Sequence, residues 1–248
     1  MKSRSIFFSA VLMAASLFTS CTEFVNKIAE SMAMETLNFE YEDSAKWGKV
    51  VEQELSLPAF TGVKTHGKVC IVLSQDSVCS VRVRANEKCI EAYKYEVKNG
   101  ELRIDHKNFK GNVNKNTPGV TFFITVPCLK EVECSGASEL RVPGTMEQAD
   151  PMEVEMSGAG RISIDSLSVK SLSMEMNGAA ECSFAKVTAQ GDIEIEVNGA
   201  GNLNANVFCQ DLEVEINGAG NAVLSGKCEN FSCQQNGAAK IDTSNLNK

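Results

Sequence analysis

One tetrapeptide pattern, Ser or Asn followed by Gly, Ala and a small residue, occurs six times in the second half of this 248-residue chain. Successive copies begin 22, 20, 21, 19 and 19 residues apart. The copies lie at residues 135–138, 157–160, 177–180, 198–201, 217–220 and 236–239. A unit of roughly 20 residues is too small to bury its own apolar side, so the repeat requires neighbouring units to stack on one another.

Alternating apolar and polar side chains flank each tetrapeptide, as in residues 193–197, which read IEIEV. A period of two indicates a strand with one buried face. Because a second alternation follows each tetrapeptide, each repeat is predicted to be a strand, a tight glycine turn, a second strand and a return. The predicted fold is all-β, a parallel β-helix or β-solenoid with rungs of roughly 20 residues, and right-handed because parallel connections overwhelmingly are.

Equivalent residues of successive rungs form columns in such a stack. The Asn residues of the last four tetrapeptides are expected to form an amide ladder, each side chain bonding to the next copy. The glycine in the second position suits a corner with positive φ. We predict six structural turn glycines: Gly136, Gly158, Gly178, Gly199, Gly218 and Gly237. These positions belong to the scaffold, since function usually lies on variable exposed surface.

Carboxylates form two further columns beside the tetrapeptides. Two residues before the Ser or Asn lie Glu133, Glu155, Glu175, Glu196, Glu215 and Gln234. Four residues before it lie Glu131, Glu153, Ser173, Glu194, Glu213 and Ser232. All should point outward on one sheet, where like charges ~4.8 Å apart repel by roughly 0.9 kcal/mol even in water.

That repulsion invites a compensating cation or a basic partner. The candidate ligand-binding residues are Glu153, Glu155, Glu175, Glu194, Glu196, Glu213 and Glu215. Oxygen-rich clusters suit Ca²⁺, although the sequence contains no aspartate-spaced calcium loop. The alternative is a solvated polar face that keeps the protein soluble.

The amino-terminal segment reads as an export signal. Lys2 and Arg4 precede an apolar run at residues 6–17 that is too short to span a bilayer. Small residues directly before Cys21 resemble the lipobox of bacterial lipoproteins, which implies cleavage before Cys21 and its acylation. The alternative is ordinary secretory cleavage nearby.

The chain therefore divides into four predicted segments. They are a lipoprotein signal peptide at 1–20, a lipidated tether at 21–47, irregular β rungs at 48–127 and a six-rung solenoid at 128–248. Residues 48–248 are expected to form a single domain. The anchor would hold the protein at a membrane without a transmembrane helix.

Charge and motif content exclude several functions. Residues 128–248 contain 8 Lys and Arg against 18 Asp and Glu, which disfavours binding to nucleic acid. Neither His66 nor His106 lies in a nucleophile or zincin motif, and no helix follows the Gly-Ala corners as a phosphate-binding loop requires. We predict no catalytic residue, no metal ligands and no cofactor, with Ca²⁺ the one open possibility.

The cysteines divide into two groups. Cys134, Cys182 and Cys233 fall in columns that should face the core, where cysteine acts as a small hydrophobe. Cys209 and Cys228 occupy the same column in consecutive rungs and are a disulfide candidate if the geometry allows.

Several segments together resemble the head GIN domain family, described as auto-transporter adhesins and often bacterial lipoproteins. The resemblance is carried by residues 60–63 (FTGV), 69–73, 99–104 (NGELRI) and 126–129 (VPCL), followed by the serial Ser/Asn-Gly-Ala motif. It covers about residues 60–241 and implies a β-helical fold and an envelope or surface role, with no established catalytic residues.

The expected function is that of a non-enzymatic lipoprotein of the cell envelope, in the outer membrane. It would be an adhesin-like module that presents its acidic face to a glycan or protein ligand. The alternatives are a polysaccharide-active β-helix enzyme resembling pectinases and lyases, and a structural envelope scaffold.

Overall fold

The computed structural model describes residue 37, residues 39–108 and residues 118–248. The chain is a nearly all-β solenoid of about 6 turns with rungs of about 21 residues. The predicted signal segment, Cys21 and most of the predicted tether lie outside the described residues. In chain order the elements are β1 (Val50–Leu55), β2 (Gly62–Gln75), β3 (Ser80–Asn86), α1 (Glu87–Glu91), β4 (Tyr93–Lys98), β5 (Glu101–His106), β6 (Val120–Val126), β7 (Glu131–Glu147), β8 (Met152–Val169), β9 (Leu172–Ala189), β10 (Ile193–Phe208), β11 (Asp211–Lys227) and β12 (Asn230–Asn247).

The six tetrapeptides lie on β7 to β12, which stack in parallel and in sequence order. The register keeps every tetrapeptide opposite its neighbours, so that Asn198 faces Asn177 on one side and Asn217 on the other. The ladder continues through the corner, and each rung is one bent strand of 16 to 18 residues rather than two strands separated by a turn. The hand of the coil stays a prediction from the general preference of parallel connections.

The corner bends at its second residue, the glycine. Gly199 has a φ of 140°, in the left-handed region that favours glycine. A Cβ atom added there would overlap the carbonyl oxygen of Gly178 on the rung below. The glycine is therefore required twice, for its backbone conformation and for the close approach of successive backbones.

The interior of the coil is apolar on both arms of each rung. On β10, for example, Ile193 and Ile195 before the corner and Ala205 and Val207 after it are all fully buried. The polar residues between them point outward. The alternation in the sequence thus becomes a continuous core along the axis of the stack.

β2 is a further regular rung that lacks the tetrapeptide. It pairs in parallel with β7 and places Gly67 opposite Gly136. Gly67 has a φ of 130°, so the same bend recurs there although His66 and Lys68 flank it. The region expected to contain only irregular rungs therefore begins the regular column of glycines.

The next layer is one rung divided between two strands. β5 pairs in parallel with the first arm of β2, and β6 pairs in parallel with its second arm. Antiparallel strands follow at this end of the stack, β4 on β5, β3 on β6 and β1 on β3. The amino-terminal half thus covers one end of the solenoid with antiparallel strands.

The last part of the predicted tether is packed against the domain. Leu37 is buried, and the hydroxyl groups of Tyr41 and Thr121 lie 2.8 Å apart in a hydrogen bond. Trp47 packs against the core. The segment is mostly polar, so its composition predicts a tether, but a few apolar side chains pack it against the domain.

The last rung, β12, differs from those before it. Its first arm is mostly exposed, because among the described residues no strand stacks on its outer side. The prediction that Cys233 lies in the core is wrong, because Cys233 is exposed. Its column faces inward, but β12 is the last described rung, so no further rung covers this side chain. Cys134 and Cys182 are buried as expected.

We predict that Gly199→Ala lowers the free energy of unfolding by roughly 2–4 kcal/mol, since it combines backbone strain with a clash against a neighbouring strand. Gly191→Ala is the matched control, because a Cβ atom there would lie 3.5 Å from the Lys170 carbonyl oxygen in ordinary contact. Urea unfolding followed by circular dichroism measures both. Equal stabilities for the two variants would contradict the account of the corner.

Candidate functional site

The two carboxylate columns lie side by side on the outer surface of the first arm. In the inner column Glu133, Glu155, Glu175, Glu196 and Glu215 face one another on successive strands from β7 to β11. The outer column is interrupted by serine on β9. We call the nine carboxylates of these columns the acidic face: Glu131, Glu133, Glu153, Glu155, Glu175, Glu194, Glu196, Glu213 and Glu215. The structure thus brings together all seven predicted ligand-binding residues.

The two columns differ in exposure. Outer-column residues such as Glu194 and Glu213 are exposed, whereas most of the inner column, including Glu196 and Glu215, is half-buried. A half-buried carboxylate loses part of its hydration and needs other partners. The inner column therefore depends on its neighbours for stabilisation.

The predicted amide ladder is confirmed. Asn198 Nδ2 donates to Asn177 Oδ1 at 3.0 Å, and Asn217 Nδ2 donates to Asn198 Oδ1 at 3.0 Å. Asn236 Nδ2 continues the ladder to Asn217 Oδ1 at 2.8 Å. Every donor points toward the preceding rung, so the ladder has one direction along the stack.

The same asparagines also bind the inner column of carboxylates. Asn198 Nδ2 donates to Glu196 Oε1 at 2.8 Å, and Asn217 Nδ2 donates to Glu215 Oε1 at 2.8 Å. The pair on β9 repeats this arrangement, with 2.8 Å between Asn177 Nδ2 and Glu175 Oε1. An amide nitrogen carries two hydrogens, so one holds the neighbouring rung and the other fixes a carboxylate.

These bonds relieve the repulsion that the sequence predicts. A carboxylate that accepts an amide hydrogen is oriented and partly compensated. The repeat alone predicts an amide column and an acidic column but not the bonds between them. The connection is nevertheless present in the sequence, because residues two apart on a strand share a face.

The inner column ends differently at its two ends. On β2, Lys64 lies opposite Glu133 and forms an ion pair with it, and this hydrogen bond raises the pKa of Lys64. On β12, the neutral Gln234 lies opposite Glu215. The unbalanced negative charge is therefore concentrated on β8 to β11.

Glu155 is an inner-column carboxylate with a raised pKa. It lies between Glu133 and Glu175, and its rung has Ser157 where the next four rungs have asparagine. Burial raises the pKa of Glu155, and the neighbouring carboxylates raise it further.

Two aspartates extend the acidic face toward the start of the rungs. A shallow groove of about 370 Å³ crosses the first arms of β10 to β12, and its lining includes Asp192, Glu194, Asp211 and Glu213. Phe231 is the aromatic residue in this lining. The groove is therefore lined by carboxylates of the acidic face and by the two neighbouring aspartates.

The acidic face does not form a ready metal site. Within residues 39–108 and 118–248, no three His, Cys, Asp or Glu side chains converge to hold a metal ion. The columns spread their carboxylates along a line, whereas Ca²⁺ needs six to eight oxygens around one point.

Outside the acidic face, the two histidines and the buried Glu139 contact neighbouring side chains. His66 Nδ1 lies 2.9 Å from Asp105 Oδ1, and the ring of His106 packs edge-on against Tyr93. On the second arm of β7 the buried Glu139, which no sequence pattern singles out, accepts a hydrogen bond from Arg141 Nη2 at 2.8 Å. A buried carboxylate of this kind is held by its ion pair and contributes to the scaffold.

In-register parallel rungs bent at glycine define this chain as a β-solenoid protein. A family model described as "Putative auto-transporter adhesin, head GIN domain" matches residues 59–185 and 178–248. The chain belongs to the head GIN domain family, as its resemblance predicts. Membership of an adhesin-like family indicates an extracellular or envelope-associated protein.

Two solved structures share the fold. One is described as a putative adhesin from Bacteroides fragilis NCTC 9343; it has a TM-score of 0.58, 17% identity and coverage of 78% of this chain and 96% of that chain. The other is described as a putative adhesin from Parabacteroides distasonis ATCC 8503, with a TM-score of 0.63, 15% identity and coverage of 79% and 97%. No curated protein matches the chain. In the part of the chain that the structure describes, no helix is long and apolar enough to cross a membrane.

We predict that Glu155→Gln raises the melting temperature at pH 7 by roughly 1–3 °C. Because the folded-state pKa of Glu155 is raised, its ionisation destabilises the fold, and stability falls as pH rises from the unfolded pKa to the folded one. At pH 3 the carboxyl is protonated in both states, and the variant should match the parent. Calorimetry at both pH values measures the effect.

Glu153→Gln is the matched control, since it removes the same charge from the exposed outer column of the same rung. We expect a smaller shift for it at pH 7. A Glu155→Gln variant that melts below the parent at pH 7, or that shifts equally at pH 3, would contradict the assignment.

Proposed function

We propose that this protein is a non-enzymatic, lipid-anchored binding module of the cell envelope that uses its acidic face to bind a basic segment of another protein. The observation that carries the proposal is the unbroken inner column of five carboxylates, of which Glu175, Glu196 and Glu215 are fixed by the amide ladder. Membership of an adhesin-like family supports a binding role. If the acidic face binds a glycan and no protein, the class of ligand proposed here is wrong.

The geometry suits such a partner in three respects. Neighbouring carboxylates follow the strand spacing of ~4.8 Å, so a partner with several Lys or Arg side chains can engage more than one rung. Glu196 and Glu215 are already oriented by Asn198 and Asn217, which reduces the entropy lost on binding. The concentrated negative charge also attracts a basic partner over a distance set by ionic strength.

The second part of the proposal is a lipid anchor at Cys21. Acylation of Cys21, followed by the segment up to the packed residues at 39–47, would hold the solenoid at the outer membrane. Two or more acyl chains give a stable anchor without a spanning helix. Mass spectrometry of the amino-terminal peptide tests this part, and an unmodified Cys21 would contradict it.

The binding experiment neutralises four carboxylates with residues that the columns already contain. Ser232 and Gln234 occupy the two columns on β12, so the variant is Glu194→Ser, Glu213→Ser, Glu196→Gln and Glu215→Gln. The full chain, purified in detergent, is applied to an array of extracellular-matrix proteins and glycans with calcium and with chelator. We expect binding to a basic protein that is independent of calcium, weakens with salt and falls at least tenfold in the variant.

The control variant removes four exposed carboxylates away from the acidic face: Glu54, Glu91, Glu147 and Glu229, each changed to Gln. It changes the net charge by the same amount, so a non-specific charge effect would weaken both variants equally. Binding that survives in the acidic-face variant, or no binding to any protein on the array, would overturn the proposal.

A further inference from the structure

Among the nine described cysteines, Cys209 and Cys228 are the pair that the register places directly opposite each other on neighbouring turns. The last ladder pair of β10 and β11 is Phe208 with Lys227, one residue before each cysteine. The ladder continues past it, because the Cys209 backbone nitrogen donates to the Lys227 carbonyl oxygen at 3.1 Å. Opposite residues of neighbouring parallel strands lie ~4.8 Å apart, within the Cα separation that a disulfide spans.

Both cysteines belong to a column that faces the core. The corresponding residues of the two earlier rungs, Val169 and Ala189, are paired with each other and buried. Cys228 is buried and Cys209, which is half-buried, packs against the core. The two side chains therefore point to the same side of the sheet, as a disulfide between neighbouring strands requires.

We propose that Cys209 and Cys228 form a disulfide that covalently closes one whole turn of the solenoid, the turn that contains β11. The structure contains both as thiols, and the bond needs an oxidant, which we assign to the class of small-molecule or protein disulfides. One thiolate attacks the oxidant disulfide, forms a mixed disulfide and releases the first thiolate of the oxidant. The thiolate of the second cysteine then attacks the mixed disulfide and releases the second thiolate of the oxidant. Two cysteine thiols and one oxidant disulfide thus become one protein disulfide and two oxidant thiols.

The bond forms during folding rather than afterwards, because Cys228 is buried in the folded chain, where an oxidant disulfide cannot reach it. Burial raises the pKa of Cys209 to about 11, and the adjacent Cys228 contributes to this shift. In the folded chain few of these thiols are ionised at neutral pH, and the thiolate is the attacking species. In the unfolded chain both thiols are ordinary, accessible nucleophiles.

The disulfide stabilises the carboxyl-terminal end of the stack, where the last rung is exposed. β11 lies beside β12, whose first arm is exposed, and it carries Glu213 and Glu215 of the acidic face. A ring of this size restricts the unfolded chain and opposes fraying of the last rungs. The inference does not depend on the proposed binding function.

The test is a peptide map of the full chain after refolding from urea in a buffer of reduced and oxidised glutathione. After alkylation of free thiols and digestion without reductant, we expect one cross-linked peptide pair that contains Cys209 and Cys228. Reduction should lower the melting temperature by roughly 6–12 °C. The same buffer added to folded, reduced protein should form the bond at least roughly tenfold more slowly.

The variant Cys209→Ser/Cys228→Ser should remove the dependence of the melting temperature on reductant. Cys79→Ser/Cys233→Ser, which removes two cysteines that the register does not pair, should retain it. If the first variant fails to fold, the map of the parent chain still decides the question. Alkylation of both cysteines after oxidative refolding, or a bond from either one to another cysteine, would overturn the proposal.

Discussion

The whole stack depends on the close approach of backbones at its corners. At each corner a glycine adopts a positive φ directly above the carbonyl oxygen of the glycine below. No side chain fits between them, so successive rungs cannot shift relative to one another without a clash. This contact aligns every other column, from the buried side chains to the asparagines and the carboxylates.

The acidic face is a consequence of that alignment. A strict register brings like charges together on neighbouring strands, which costs stability. On β10 and β11 the asparagine directly before the corner glycine offsets part of that cost, because it binds both its own carboxylate and the preceding asparagine. Where the rung has Ser157 instead, Glu155 has a raised pKa. The scaffold and the candidate site therefore share one set of side chains, and the site is as rigid as the stack.

The sequence predicts the features that repeat and misses those that do not. Asn198, Gly199 and the alternation around them recur at a fixed spacing, and so the fold, the amide ladder and the acidic columns follow from counting. Gly67 escapes detection because His66 and Lys68 replace the residues of the motif beside it, although its bend is the same. The antiparallel strands at that end depend on pairings between distant segments, which no local period encodes.

Position along the stack is the other missing information. Cys233 has the column of a core residue but lies on the last described rung, so its environment differs from that of Val214 opposite it. The buried Glu139 likewise relies on ion pairs with Arg141 on its own rung and Arg161 on the next. A column assignment gives the direction of a side chain, and the neighbours on either side decide its exposure.

The most direct test of this account is the stability of Asn198→Asp as a function of pH. The variant removes the hydrogens donated to Glu196 and Asn177 and adds a negative charge beside Glu196. We therefore predict that the free energy of unfolding falls by roughly 1–3 kcal/mol at pH 7 and is largely recovered at pH 3, where the carboxyls are protonated. Asn198→Ser, which copies the natural Ser157, should lose less at pH 7. An Asn198→Asp variant as stable as the parent at pH 7 would contradict the claim that the amide ladder holds the acidic face.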